Sequence, residues 1–465
     1  MRALRAAGRL PSSFRDPAGF VFIQEGQLYR QIDHSYAQHY DHLIRSGLFE
    51  KLVTQQRLIP HEEVDLALAL TDSAYKVISP HALPFISYPY EWCFTQLKQA
   101  ALTTLEIQKQ ALACGMSLKD CSAYNIQFSN SRPVFIDTLS FEIHREGQPW
   151  VAYRQFCEQF LAPLALMAYR DIRLSRLSQL YLDGVPLDLA SVLLPRRTWL
   201  RLHLLTHIHL HARSQKRYSD RTVDRRAGRM SQRSILGLID NLYSGISGLN
   251  WQPRGTEWSD YYECTNYSTQ ALAQKKQIVT QYLDQIKPTS VWDLGANIGA
   301  FSRIASGAGM HTVAFDVDPA AVEKHYLDCA AREDANTLPL VLDLTNPSPA
   351  TGWAHEERMA WLERGCPDAV LALALIHHLA IGHNLPIPKI ADLLHKLGGD
   401  LVIEFVPKQD SQVQRLLANR DDVFPEYTQQ HFEAAFSTCY AISERIEIAD
   451  TERTLYLMRH KNNPS

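Results

Sequence analysis

No two of the eight cysteines stand as a C-x-x-C pair. That removes the usual spacing of a structural zinc site or a disulfide frame, and leaves buried thiols in a reducing, cytoplasmic setting as the simplest reading. No apolar run approaches the ~20 residues that a membrane-spanning helix needs, so no membrane partner is expected. Neither sign of charge is in excess: a formal net charge of −3 gives no global drive toward nucleic acid or an anionic surface. Internal repeats and low-complexity tracts are missing. Apolar residues are present in quantity, 46% of 465, which is enough core for two or three domains. The first 15 residues carry Arg2, Arg5, Arg9 and Arg15 and no acid. A transit peptide has that composition; a frayed basic tail over residues 1–18 is the expectation adopted.

A dinucleotide fingerprint, G-x-G-x-x-G, is also missing. In its place Val291 to Phe301 reads VWDLGANIGAF, a buried strand, a tight glycine turn and a helix start. Glycine serves where the backbone takes positive φ or a ligand comes close. Asp293, two residues before Gly295, would repel a pyrophosphate and suit a cationic ligand. Asp-Leu-Gly-x-x-x-Gly resembles the first motif of the class I S-adenosylmethionine-dependent methyltransferases. HTVAFDVDP (His311 to Pro319) follows as a second strand ending at Asp316, 17 residues beyond Gly299, with Asp318 as the fallback acid. Leu338 to Thr345 reads as a third strand ending at Asp343, Pro367 to Leu379 as a fourth strand running into a loop, and Asp400 to Lys408 as a fifth. Continuous apolar runs of this kind suit parallel strands buried on both faces. The resemblance implies S-adenosyl-L-methionine as cofactor, held by Asp293, Gly295, Asn297, Gly299, Asp316 and Asp343. Asp316 would take the ribose hydroxyls and Asp343 the adenine amino group. It implies an active-site loop at the end of the fourth strand. There His378 is the preferred proton acceptor, His377 the alternative, and Glu404 would orient the imidazole or bind the acceptor. Asn346 to Pro349 is expected as a rigid loop beside the adenine.

The first half of the chain is of another kind. Gly19 to Ile32 looks like a β-hairpin turning at Glu25-Gly26. A helix follows, then a strand-like YKVISP and a long helix from about Glu91 to Ala113. Gly115 to Glu142 then places Asp120, Asn125 and Asp137 in order, with two short strands between the last two. This resembles the catalytic loop of the protein-kinase-like and aminoglycoside-phosphotransferase-like fold, in which a carboxylate orients the acceptor hydroxyl while an Asn and a second carboxylate hold magnesium. The departures are a missing glycine-rich loop, no V-A-I-K strand, and Leu118-Lys119-Asp120 in place of His-Arg-Asp. Arg30 and Lys76 are the remaining candidates for the phosphate lysine. A degenerate scaffold that binds a substrate or partner is favoured over an active kinase.

Residues 147–246 read as helical, with Pro163 bending or ending a helix. His203, His207 and His211 at i, i+4, i+8 share a helix face. That spacing could bind a metal, but no cysteine or carboxylate cluster joins them, so a polar helix face is the reading and no metal is expected. Arg213 to Arg233 holds eight basic and two acidic residues. Such a stretch could touch nucleic acid, but an exposed connecting helix is the preferred reading, since Tyr218 is the only aromatic there for stacking. Trp258, Tyr261, Tyr262 and Tyr267 are read either as a roof over the cofactor or as interface packing.

The phrases SYPYEW, LKDCSAYNIQF, FIDTLSFE, DLGANIG, DLTNPSPATGW, ALALIHHL and IEFVPK together resemble a group of bacterial and fungal methyltransferase-like proteins with nodulation-protein-like members. The expected fold is α/β: a Rossmann-like class I methyltransferase domain over residues 268–465, a linker over 247–267, and an α+β kinase-like domain with a helical lobe over 19–246. The expected function is methyl transfer to oxygen or nitrogen of an unidentified acceptor. The alternatives are a bifunctional kinase-methyltransferase and a non-catalytic binding or regulatory protein.

Overall fold

The structure, a computed structural model, describes residues 8–213, 229–253, 267–418 and 421–461. The segment from residue 214 to 228, which carries most of the basic stretch, and Trp258, Tyr261 and Tyr262 lie outside the described residues. Two compact units are present: Pro253–Pro349 with Met359–Ser465, and Leu4–Gln252 with Ala350–Arg358.

The C-terminal unit is built on a seven-stranded sheet. Its strands are β10 (Ser290–Leu294), β11 (His311–Asp316), β12 (Thr337–Val341), β13 (Ala369–Ala372), β14 (Asp400–Phe405), β15 (Tyr440–Glu447) and β16 (Thr454–His460). They lie in the order β12-β11-β10-β13-β14-β16-β15. The first five are parallel, and β16 enters antiparallel between β14 and β15. The chain therefore steps outward from β10 in one direction and then returns to its other side at β13. That reversal leaves a crevice at the carboxyl ends of β10 and β13, where open α/β sheets bind ligands. Val291, Leu371, Val402, Leu455 and Leu457 fill the core beneath helix Thr269–Ile286. Ser268 caps that helix by accepting from the Ala271 N–H, and Lys287 ends it in the left-handed region at φ 52°. The parallel strands are shorter than the apolar runs suggested. β13 stops at Ala372, and the expected loop after it runs into a wide helical turn that begins at His378.

The N-terminal unit opens with a five-stranded antiparallel sheet in the order β1-β2-β3-β5-β4. Its members are β1 (Gly8–Arg9), β2 (Gly19–Gln24), β3 (Gln27–Asp33), β4 (His61–Val64) and β5 (Ala74–Pro80). Glu25 and Gly26 take φ 51° and 78° in the two-residue turn between β2 and β3, the geometry that matches strand twist in tight hairpins. Part of the expected N-terminal tail is thus sheet, since Gly8 and Arg9 pair with Ile23 and Phe22. Helices Ala37–Arg45 and Leu48–Thr54 lie between β3 and β4 in sequence, and the long helix is Phe94–Ala113. Beyond it come two small antiparallel pairs, β6 (Met116–Leu118) with β9 (Phe141–Ile143) and β7 (Ile126–Ser129) with β8 (Arg132–Phe135).

Pro163 neither ends nor breaks its helix. It sits in the first turn of Ala162–Tyr169, directly after a wide helical turn at Cys157–Leu161 that loosens the hydrogen-bond ladder a proline cannot join. The three spaced histidines are packing residues. His207 bonds the Tyr153 hydroxyl at 2.7 Å and Asn241 Oδ1 at 2.8 Å. His211 stacks on the Tyr153 ring, and His203 lies against Gly245 so closely that a Cβ there would meet its Cβ and ring Cγ at 2.7 Å.

Candidate functional site

The turn after β10 is tied to the end of β11. The N–H groups of Gly295 and Ala296 both donate to the Phe315 carbonyl, at 2.9 and 3.0 Å, and the Asn297 N–H donates to Asp316 Oδ2 at 2.8 Å. Gly295 has φ 74° and Asn297 φ 50°. Asparagine tolerates that region, and here its Oδ1 also accepts from the Ile298 N–H at 2.8 Å. Gly299 has a different reason to be glycine. Its φ is 77°, and a Cβ would sit 1.9 Å from His325 Nε2, so it lets the turn lie flat on helix Pro319–Ala331. Asp318, the fallback acid, caps that same helix by accepting from the Ala320 N–H at 2.8 Å.

Three carboxylates mark the ends of successive strands. Asp293 is buried on β10 and accepts from Ser302 Oγ at 2.6 Å; burial pushes its carboxyl up to about 6. Asp316 ends β11, and burial pushes it up to about 6 against the backbone N–H groups of Asp318 and Asn297, which pull the other way. Asp343 follows β12 and accepts from the Thr345 N–H and hydroxyl through Oδ1. All three line one cavity of about 380 Å³, along with Gly295 and Asn297 from the turn and Ala374, Leu375 and His378 beyond β13. Gly299 does not line it.

This cavity suits the adenosyl sulfonium donor that the fold family implies. Its volume lies in the range of ligand sites, and its walls combine apolar side chains with a few fixed polar groups. A carboxylate offers about four acceptor positions, so Asp316 keeps some free for hydroxyl donors after its backbone bonds. Asp293 and Asp316 add negative charge where a cationic ligand would lie.

At the other end of the cavity the two histidines part ways. Both follow the irregular residue Ala374, at φ 51°, and the wide turn begins at His378. His378 and His383 line the cavity; His377 does not, and is 1% exposed. The contrast comes from the helical turn on which the two residues lie. Among the described residues neither ring nitrogen of His377 has a partner, and burial holds its imidazole well below the usual range. Burial, then the neighbouring charges of His383 and Arg453, pushes His378 down to about 4.

Glu404 takes other partners than the imidazole expected for it. It is fully buried on β14, receives Lys275 Nζ at 2.7 Å and the Tyr267 hydroxyl, and lies 3.6 Å from Arg453. Burial pushes Glu404 up, but Lys275 and Arg453 outweigh it and hold the carboxyl below its ordinary value. Arg453 also binds Asp410 at 2.7 Å and donates to the Tyr267 oxygen at 2.7 Å. Tyr267 and Lys275 line the cavity. Sequence reasoning passed over Lys275 altogether, although a signal existed. It falls on the buried stripe Ala271, Lys275, Ile278, Val279, Tyr282, the one charged residue there.

In the N-terminal unit the structure brings Asn125 and Asp137 together through Ser140. Asn125 Nδ2 donates to Ser140 Oγ at 3.2 Å, and that hydroxyl donates to Asp137 Oδ2 at 2.7 Å. Asp120 Oδ1 instead accepts from the Ser122 N–H and Gln155 Nε2. The Arg30 guanidinium lies 2.7 Å from Asp137 and 3.6 Å from Asp16, whereas Lys76 pairs with Glu63 at 2.6 Å. Among the described residues no group of three His, Cys, Asp or Glu side chains is arranged to hold a metal ion, and no helix is long and apolar enough to cross a membrane.

No family model matches the chain. Among solved structures, the N-methyltransferase NodS from Bradyrhizobium japonicum WM9 is 14% identical, with a TM-score of 0.31 over 42% of this chain and 99% of that one. Magnesium protoporphyrin IX methyltransferase (ChlM) from Synechocystis PCC 6803, with bound SAH, is 14% identical with a TM-score of 0.30 over 41% and 84%. Likenesses at that level say nothing of a substrate; the class I methyltransferase-like fold of the C-terminal unit stands on its own strand order. Among curated proteins, nodulation protein NoeA of Rhizobium meliloti (strain 1021) is 38% identical over 457 residues, which cover 97% of this chain and 95% of the relative. With that identity held across nearly the full length of both, the chain belongs to the family of nodulation protein NoeA.

Proposed function

We propose that the protein is an S-adenosylmethionine-dependent methyltransferase acting on oxygen or nitrogen of an acceptor still to be identified. The observation that carries this reading is the convergence of Asp293, Asp316 and Asp343, from the ends of three parallel strands, on one cavity at the reversal of strand order. The bound donor would supply an electrophilic methyl group on a sulfonium. Asp316 would hold the ribose, Asp343 the adenine edge, and Asp293 with the Gly295–Asn297 turn the amino-acid end. His378, neutral at physiological pH and facing the cavity, would receive the proton that an acceptor hydroxyl or amine gives up. His377 and Glu404 would act by shaping the loop and the wall, since neither lines the cavity. Placement in the cytoplasm is part of the same reading. Titration calorimetry with S-adenosylmethionine and its demethylated product tests it, followed by incubation of labelled donor with a fractionated host extract; absence of donor binding would refute it.

The N-terminal unit is read as a kinase-like scaffold that binds a substrate or partner and transfers no phosphoryl group. The supporting observation is the Arg30–Asp137 pair. A guanidinium already neutralises the carboxylate that would otherwise hold magnesium.

A further inference from the structure

One wall of the cavity is built from ionised groups that water scarcely reaches. Lys275, Glu404 and Arg453 have side chains no more than 3% exposed, and Asp410 5%. Buried ion pairs seldom add stability over well-packed apolar residues, because each charge gives up its hydration. A wall made this way, on a helix whose other buried positions are Ala, Ile, Val, Tyr and Leu, calls for a reason beyond folding. The charges also balance: Lys275 and Arg453 against Glu404 and Asp410. Arg453 is consumed by Asp410, Glu404 and Tyr267. Lys275 is not. An ammonium has three N–H donors; one goes to Glu404 at 2.7 Å and one to the Tyr267 oxygen at 3.2 Å. Tyr267 in turn donates to Glu404, so the phenol and carboxylate fix the ammonium from two sides. The rings of Tyr267 and Phe301 flank the same nitrogen, 4.9 and 4.7 Å from their centroids, and Phe301 also lines the cavity. Among the described residues Lys275 thus meets the cavity as a held cation with one donor to spare. Asp293 lines the same cavity and is close enough to interact with that ammonium. A fixed cation beside a fixed anion is complementary to an α-amino acid zwitterion.

We propose that Lys275 binds the α-carboxylate of the donor's amino-acid moiety while Asp293 takes its α-ammonium, with Glu404, Tyr267 and Arg453 as the residues that position Lys275. This rests on the donor reading above and deepens it. The wall would orient the sulfonium by its zwitterionic tail and leave the acceptor end, with Leu272, Leu379 and Leu416, to a largely apolar group.

The test compares two ligands differing only in the carboxylate: S-adenosylhomocysteine and its decarboxylated form, 5′-(3-aminopropylthio)adenosine. Calorimetry on the wild-type protein should show the carboxylate form binding about tenfold tighter or more, the size of one charge-assisted hydrogen bond. In Lys275→Met the two should bind within about twofold of each other. Because each variant is its own reference, a general loss of stability cancels in this ratio. Should Lys275→Met fold poorly, Lys275→Met combined with Glu404→Gln keeps both facing groups uncharged and should give the same levelled ratio. A wild-type protein that does not distinguish the ligands, or a Lys275 variant that keeps the full preference, overturns the assignment of Lys275. A wild-type protein that binds neither ligand overturns the donor reading itself.

Discussion

Replacing Asp316 tests the donor site most directly. Its carboxylate ends β11, accepts the Asn297 and Asp318 N–H groups, and still faces the cavity. Charge-assisted hydrogen bonds contribute about 1.5–3 kcal/mol each, so losing even one to a ribose hydroxyl in Asp316→Ala should weaken product binding at least about tenfold. Burial adds a second signature. A carboxyl pushed up to about 6 is about 97% ionised at pH 7.5 and about a quarter ionised at pH 5.5, so affinity should fall about fourfold across that range for each group that binds only when ionised. Asp293, raised to about 6 as well, contributes a similar factor. Asp316→Asn should therefore flatten the pH dependence to the share left by Asp293, at the loss of one of its two backbone bonds, since the amide keeps a single acceptor oxygen. Calorimetry at four or five pH values on wild type and both variants measures this. A folded Asp316→Ala protein with unchanged affinity, or an Asp316→Asn protein with the full wild-type pH dependence, would refute the ribose assignment.

Four further outcomes follow from the same geometry. Gly299→Ala forces a Cβ onto His325 Nε2 at a positive φ; overpacking and backbone strain together should cost about 2–4 kcal/mol in chemical denaturation, and adding His325→Ala should recover only the overpacking part. His61, His325 and His378 are held down at about 4, 3 and 4, and His377 well below the usual range. The unfolded chain therefore binds more protons below pH 6.5, and stability present above that pH is lost as the pH falls toward 4. Asp293, Asp316 and Glu158, raised in the folded state, act in the opposite direction, but the lowered imidazoles, which also include His39, His203, His207, His209 and His211, outnumber them. The melting temperature should thus drop from pH 7.5 to pH 5, and a steady or rising value would contradict the buried neutral imidazoles. Magnesium and ATP should leave the melting temperature unchanged, because Arg30 occupies Asp137; a robust magnesium-dependent rise would restore the kinase reading. Once an acceptor is known, His378→Ala should lower turnover about 10²-fold with donor affinity kept, whereas His377→Phe, which replaces a buried ring with unpartnered nitrogens, should leave turnover largely intact.

The amino-acid sequence by itself determined the features that a few neighbouring residues control. The Glu25-Gly26 turn, the positive-φ glycine after β10 and the acids at the ends of β11 and β12 are all written in local backbone preference and apolar runs, which act over a handful of residues. Strand ends were less legible. β13 stops at Ala372 because the chain turns at Ala374, and nothing in the apolar run up to Leu379 announces it. Only the tertiary structure decided which charges meet. Lys275 and Glu404 stand 129 residues apart, and Tyr267 and Arg453 186 apart. Arg30 reaches Asp137 only because β3 and the loop after β8 meet in the folded unit. Such pairings depend on which faces the fold presses together and on the removal of water between them. Periodicity reports that a face is buried, but not what opposes it; the partner that makes a buried charge tolerable comes from a distant strand.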